Sequence, residues 1–194
     1  LGRLRGVQVE YVQDWLATAV EETGSKQAEW RTDPARSGAG GALGDIGTHA
    51  FQLAAFVSGE APSEVSAELA SFVPGRRLDD DARALLRYAS GARGALWCSQ
   101  VAPGNENRLT LRLYGEAGGL EWSQETPERL TATRLGEAPR LMTRATAGAA
   151  GTRLQRIPPG HPEGYLEAFA NLYVEAAAAI RAAREGAAPP AGTL

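Results

Sequence analysis

The spacing of apolar residues changes several times along the chain. Between Leu4 and Trp15, the positions Leu4, Val7, Val9 and Tyr11 roughly alternate with polar neighbours, which predicts a strand. Residues Thr23 to Gly41 hold scattered Gly, Asp and Pro with no apolar period, so a long loop is expected. Loops longer than about 12–15 residues are uncommon and often functional. From Leu43 to Val57 the positions Leu43, Ile46, Ala50, Leu53 and Val57 take helical spacing, and Ser58-Gly59 ends the run. Strand-like segments follow at Ser63–Val73, Asp81–Tyr88, Ala92–Val101, Arg108–Tyr114 and Gly119–Trp122, with two shorter ones at Leu130–Leu135 and Arg140–Thr143. Turns such as Pro74-Gly75, Ser90-Gly91 and Pro103-Gly104 separate them. Thr146 to Gly160 reads as loop, and the Ala-rich stretch Pro162–Arg184 as a closing helix.

This order predicts an α+β fold: a large open, mainly antiparallel sheet with helices packed on one face. One domain is expected over residues 1–185, followed by a flexible tail at 186–194. Apolar residues stand at both parities of several strands: Leu85 beside Leu86, and Leu96 beside Trp97. Leu109, Leu111, Leu113, Leu120 and Trp122 add to them. Helices on one side cannot cover two apolar faces, so self-association through the sheet face is expected.

Composition narrows the function. The chain has 194 residues, 43% of them apolar, with a net charge of −3. That balance leaves no basic excess for nucleic acid, and no stretch approaches the ~20 apolar residues of a membrane span. The single Cys98 excludes an intrachain disulfide framework, and two histidines make a self-contained zinc site improbable. The acidic run Asp79-Asp80-Asp81 is read as a solvated turn before a strand rather than as metal ligands. The start of the chain alternates like a strand and shows no apolar leader, so a cytoplasmic piece of a longer protein is expected. No G-x-G-x-x-G sits between a strand and a helix, so a Rossmann nucleotide domain is absent from this chain.

The segment Gly40–Gly59 carries the chemistry. Asp45 and His49 lie four apart and share one helix face. The field of the helix N-terminus and the Asp45 carboxylate act on a histidine in opposite directions, which suits a group that gives and takes protons. Glycines at 40, 41, 44 and 47 cost about 1 kcal/mol each against Ala in a helix, which argues for close approach of a ligand or another backbone. The plainer alternative is that Asp45 caps the helix and His49 is a satisfied, partly buried histidine. Trp15, with its apolar indole face, either meets a ligand or sits in the core.

The run G-G-A-L-x-D-I-G-T-H-A, preceded by W-R-T-D-P, resembles the C-terminal domain of the Gfo/Idh/MocA oxidoreductases. So do the opening G-R-L-R-G-V-Q-V-E-Y-V-Q-D-W and the later H-P-E-G-Y-L-E-A-F-A-N-L-Y. The resemblance implies a substrate-binding and oligomerisation domain of an NAD- or NADP-dependent dehydrogenase, whose nucleotide is held mainly by another domain. It implies that His49 exchanges a proton with a substrate hydroxyl and that Asp45 orients His49 and binds a neighbouring hydroxyl. Thr48, Trp15, Gln13, Arg31 and His161 then become candidate contacts to a small-molecule sugar, anhydro sugar or polyol. Trp30 and Arg31 face sugar or cofactor. A non-catalytic carbohydrate-binding or assembly module of the same fold is the alternative.

Overall fold

A computed structural model describes residues 1–190, the side chain of Ala150 apart. The chain divides into two units: Leu1–Thr126 with Leu130–Leu141, and Pro127–Arg129 with Met142 onward.

In the first unit, β1 (Leu4–Val12) is the middle of the sheet, because Val7, Val9 and Val12 need cover on both sides and are fully or almost fully buried. The others are β2 (Glu64–Ala70), β3 (Asp81–Arg87), β4 (Arg93–Ser99), β5 (Arg108–Gly115), β6 (Gly118–Ser123), β7 (Arg129–Arg134) and β8 (Arg140–Thr143). The order is β2-β3-β4-β1-β5-β6-β7-β8. Neighbouring pairs from β2 to β7 run antiparallel except β1 with β4, so the sheet is mixed, with a parallel pair at the centre. A long connection through the helices is what allows β4 to arrive parallel to β1. β1 ends three residues before the expected Trp15; Gln13 and Leu16 leave the ladder yet still donate to Ser99 O at the end of β4 and to Gln100 O just past it.

The expected loop at 23–41 holds two short helices, α1 (Lys26–Arg31) and α2 (Pro34–Ser37). Ser25 Oγ accepts from Ala28 N, Asp33 accepts from Ala35 N, and Pro34 sits at the first helical position. These caps start helices too short to show an apolar period. The expected helix 43–57 is a widened π-type turn, Leu43–Gly47, running into α3 (Thr48–Ser58), and Gly59 at φ 73° ends it. Ala50 and Ala54 are small enough to bring α3 against β1, β4 and β5.

The acidic run is not a solvated turn. Asp80 is fully buried, taking Phe72 N, Val73 N and the Arg76 guanidinium, and Asp81 is buried with the Arg83 and Trp97 side chains. Asp79 holds the start of the π turn. Buried carboxylates persist because each is paired or hydrogen-bonded.

Strand register assigns the two faces. Val7, Val9, Leu86, Leu96, Leu109, Leu111, Leu113, Leu120 and Trp122 all lie on the α3 side and form or adjoin one core. The opposite face carries Glu68, Arg83, Gln8, Glu10, Arg112 and Glu121, with Leu85, Ala95 and Trp97 among them. The expectation of a second, continuous apolar face is thereby corrected. The alternating leucines of β5 and β6 serve one face, and adjacency of apolar residues puts Leu85, Trp97 and Tyr114 on the other.

The second unit contains α4 (Gly148–Leu154) and α5 (Tyr165–Arg184). α4 replaces part of the expected 146–160 loop: Thr152 Oγ1 folds back on Gly148 O at 2.8 Å, and Asn171 Nδ2 of α5 closes its end on Leu154 O at 2.8 Å. α5 begins three residues after Pro162, because Arg144 draws the preceding segment around itself. It donates to the carbonyls of Ile157 and His161 and pairs with Glu128 and Glu163. Gly164 N then donates to Glu167, which opens the helix. Of the tail expected at 186–194, residues 191–194 lie outside the described residues.

Candidate active site

The π turn and the first turn of α3 project Asp45, Thr48 and His49 over the ends of β1 and β4. Their position is fixed from below by Asp79. Its two carboxylate oxygens accept Gly41 N and Leu43 N at 2.7 Å each, and its own carbonyl accepts Ala42 N at 2.8 Å. A Cβ at Gly41 would collide with that same carbonyl, so a glycine is required. At Gly47 a Cβ would come within 3.0 Å of Cys98 Sγ and 2.9 Å of Leu43 Cδ1, and the helix rests on β4 at that point. Burial, reinforced by the charges of Asp79 and Asp81, pushes the Cys98 thiol up to about 12.

Asp45 Oδ2 accepts two hydrogen bonds, from Arg31 Nε at 3.0 Å and from Gln100 Nε2 at 2.8 Å. Among the described residues nothing donates to its Oδ1, and no hydrogen bond joins Asp45 to His49. The His49 side chain is exposed. Its ring meets Tyr11 edge-on, centroids 6.4 Å apart, and has no hydrogen-bond partner among the described residues. Thr48 Oγ1 turns back to the carbonyls of Gly44 and Asp45, at 3.2 and 3.3 Å.

The wall beside this pair comes from the end of β1. Tyr11 Oη and Gln13 Nε2 both donate to Asn107 Oδ1, at 2.8 and 2.7 Å, and Trp15 Nε1 donates to Gln13 Oε1 at 3.1 Å. The Arg31 guanidinium lies 4.5 Å from the Trp30 ring centre and 5.9 Å from that of Trp15. Cation–π contact and the ion pair with Asp45 thus hold α1 against the site.

Gln13, Trp15, Trp30, Arg31, Asp45 and His49 are therefore brought together. Thr48 stands with them but spends its hydroxyl on the helix backbone. His161 belongs to the second unit, where its Nδ1 lies 3.3 Å from Pro158 O. Sequence reasoning missed Tyr11, Gln100, Asn107 and Asp79. A signal for Gln100 existed: it shares the parity of Leu96 and Cys98, a polar residue on the buried side of its strand. Among the described residues no group of three or more His, Cys, Asp or Glu could hold a metal ion. No helix among them is long and apolar enough to cross a membrane.

Residues 1–121 match the family described as the GFO/IDH/MocA C-terminal domain. The chain belongs to this family. Gfo/Idh/MocA relatives extend over nearly all of it. The uncharacterized oxidoreductase YfiI of Bacillus subtilis strain 168 is 31% identical over 186 residues, 94% of this chain and 47% of its own length. Levoglucosan dehydrogenase of Pseudarthrobacter phenanthrenivorans is 27% identical over 84% of this chain and 44% of its own length. The chain thus spans about half the length of the curated relatives it matches. A crystal structure of an inositol dehydrogenase homolog from Azotobacter vinelandii, complexed with NAD+, superposes with a TM-score of 0.90 at 33% identity. It covers 96% of this chain and 49% of that one. An inositol dehydrogenase homolog from the same organism, complexed with NADH and myo-inositol, superposes with a TM-score of 0.84 at 32% identity, covering 96% of this chain and 48% of that one. The eight-stranded mixed sheet is thus the fold of the Gfo/Idh/MocA C-terminal domain, and the neighbours that share it are oxidoreductases crystallised with NAD+ or NADH.

Proposed function

We propose that residues 1–185 form the substrate-binding and oligomerisation domain of a cytoplasmic, NAD(P)-dependent dehydrogenase acting on a hydroxyl of a sugar, anhydro sugar or polyol. The observation that carries this reading is the pairing of an exposed, unpartnered imidazole at His49 with a carboxylate, Asp45, that has one oxygen fixed and the other free. The family's relatives supply the substrate class: the neighbours are named for levoglucosan and inositol.

Oxidising a carbinol removes a hydride from carbon and a proton from oxygen. The bound nicotinamide supplies the hydride acceptor. His49 takes the hydroxyl proton as the C–H bond breaks, and the carbonyl forms. Asp45 Oδ1, an acceptor only, takes a hydrogen bond from the neighbouring hydroxyl and so sets which carbon faces His49. Trp15 offers an indole face to sugar C–H groups, and Gln13 and Arg31 line the same wall. Trp30, partly exposed beside Arg31, would meet the nicotinamide ring at this rim. We assign the rest of the nucleotide to a domain outside residues 1–194, consistent with relatives of twice the length.

The test is the longer gene product, assayed for sugar-dependent reduction of NAD+ or NADP+. His49→Asn should lower kcat by about 100- to 10,000-fold, the range for a lost general acid or base, with cofactor affinity unchanged. Near-normal turnover in that variant would return Asp45 and His49 to a structural role.

A further inference from the structure

Two donors converge on one oxygen of Asp45, and they come from different parts of the fold. Arg31 reaches it from α1, a short surface helix, with a side chain a quarter exposed. Gln100 reaches it from the sheet. Gln100 is 2% exposed, and its backbone is tied twice: its N donates to Asp80 O at 2.8 Å, and its carbonyl accepts Leu16 N at 3.1 Å. Below it on the same strand face, Cys98 is fully buried and abuts Gly47 of the π turn. The strand therefore fixes both the height of the helix, through Cys98, and the direction of its carboxylate, through Gln100.

The chemistry of the residue matters as much as its place. A carboxamide donates without bringing charge, so Gln100 holds Asp45 at any pH at which the acid is ionised. A glutamate here would set two carboxylates on one spot, and a leucine or methionine would leave Oδ2 with Arg31 alone. A single guanidinium on a partly exposed helix end fixes an oxygen less firmly than two donors arriving from separate elements. With Oδ2 doubly occupied, Oδ1 is the oxygen left to accept a hydroxyl proton.

We propose that Gln100 is a positioning residue. With Arg31 it clamps Asp45 Oδ2 and thereby aims Oδ1 at the space before His49, so that the site selects substrates carrying a donor hydroxyl next to the reacting one. The selection half of this statement rests on the dehydrogenase reading; the clamp does not. The charged groups around Asp45 are Arg31 of α1, His49 one turn along α3, and Asp79 beneath the π turn.

The clamp is tested on residues 1–194, labelled with 13C and 15N, by nuclear magnetic resonance. The Gln100 side-chain amide proton that faces Asp45 should lie downfield of free glutamine, exchange slowly, and shift on Asp45→Asn. In Gln100→Glu the two carboxyl carbons should titrate as one coupled pair, with the upper midpoint about one unit or more above that of the single Asp45 carboxyl in the wild-type chain. Gln100→Met should leave the backbone spectrum intact and move the Asp45 carboxyl signal. Gln100 amide protons indifferent to Asp45→Asn, or an Asp45 carbon in Gln100→Glu that titrates as in the wild type, would overturn the proposal. Should Gln100→Glu fail to fold, the Asp45→Asn spectrum decides alone. In the longer protein, Gln100→Met should raise KM for a vicinal diol by tenfold or more and leave KM for a substrate lacking the second hydroxyl nearly unchanged. Absence of any dehydrogenase activity would refute the function while leaving the spectra, and the clamp they report, in place.

Discussion

Asp79 takes three consecutive backbone N–H groups at the start of the segment that carries Asp45 and His49, two with its carboxylate and one with its carbonyl. Those donors have no helical partner, and losing a capping acceptor costs about 0.5–2 kcal/mol. Asp79→Ala should therefore lower the midpoint of chemical denaturation by the equivalent of about 2 kcal/mol, with Asp79→Asn recovering part of it through its one remaining acceptor oxygen. Equal stability of all three chains would show that the segment is held by other contacts. Cys98, within β4, gives a second residue-level prediction. Its thiol is pushed from the ordinary 9.0 to about 12 by burial and by the charges of Asp79 and Asp81. Below pH 9 the thiol is protonated in both folded and unfolded chains and contributes nothing to the slope. Between pH 9 and 12 the unfolded chain releases the proton while the folded chain keeps it, so stability falls as pH rises. Denaturation at pH 7 and pH 10 should show this loss in the wild-type chain and a smaller loss in Cys98→Ala.

At the scale of elements, what the sequence made legible was periodicity, and what it hid was contact between distant segments. Strands β3 to β6 came within a few residues of their expected bounds, because alternation reports a face directly. Helices α1, α2 and α4 have four to seven residues, too few to show a 3.6-residue period, so only their caps could have marked them. Asp45 and His49 stood out because they lie on one helix. Gln100 and Asn107 reach the same place from more than fifty residues away, and no local pattern encodes that. The charged turn Asp79–Asp81 misled for the same reason: three adjacent acids look solvated until each is matched to a partner 8 to 38 residues away, or across the sheet. The glycines in and before the π turn were legible as an expense in a helix; packing requires Gly41 and Gly47, while a Cβ at Gly44 would meet nothing within 4 Å. Gly47→Val should push α3 away from Cys98 and destabilise by about 1–3 kcal/mol, the range for overpacking. Gly59→Ala, at a left-handed helix end with open space around it, should lose only about 1 kcal/mol through backbone strain. A thermal melt of the two variants ranks them; a reversed order would mean that the helix can shift without penalty.

For the molecule as a whole, the sheet face opposite α3 sets the character of any self-association. Cross-strand neighbours there are Glu68 with Arg83, and Gln8, Arg112 and Glu121 in one row, while Arg112 also pairs with Glu10 at 2.6 Å. Trp97 lies among them with the Arg83 guanidinium 5.2 Å from its ring centre. An interface on such a face is anchored by the aromatics Trp97 and Tyr114 and by Leu85, with much of the remaining area made of mixed charges. Charges of both signs let a two-fold partner be complementary, yet exposed pairs are screened as the Debye length falls from about 10 Å at 0.1 M salt to about 3 Å at 1 M. An interface built on a continuous apolar face would instead hold or tighten in high salt. Sedimentation of residues 1–194 at micromolar concentration should accordingly find a dimer or larger species at low salt that weakens toward 1 M, and Trp97→Ala should weaken it at both. If, as proposed, the nucleotide is held mainly by another domain, the same preparation should neither reduce NAD+ with any sugar nor bind it tightly by calorimetry. An assembly unmoved by salt would place the contact on another surface, and a monomer under all conditions would remove oligomerisation from the domain's role.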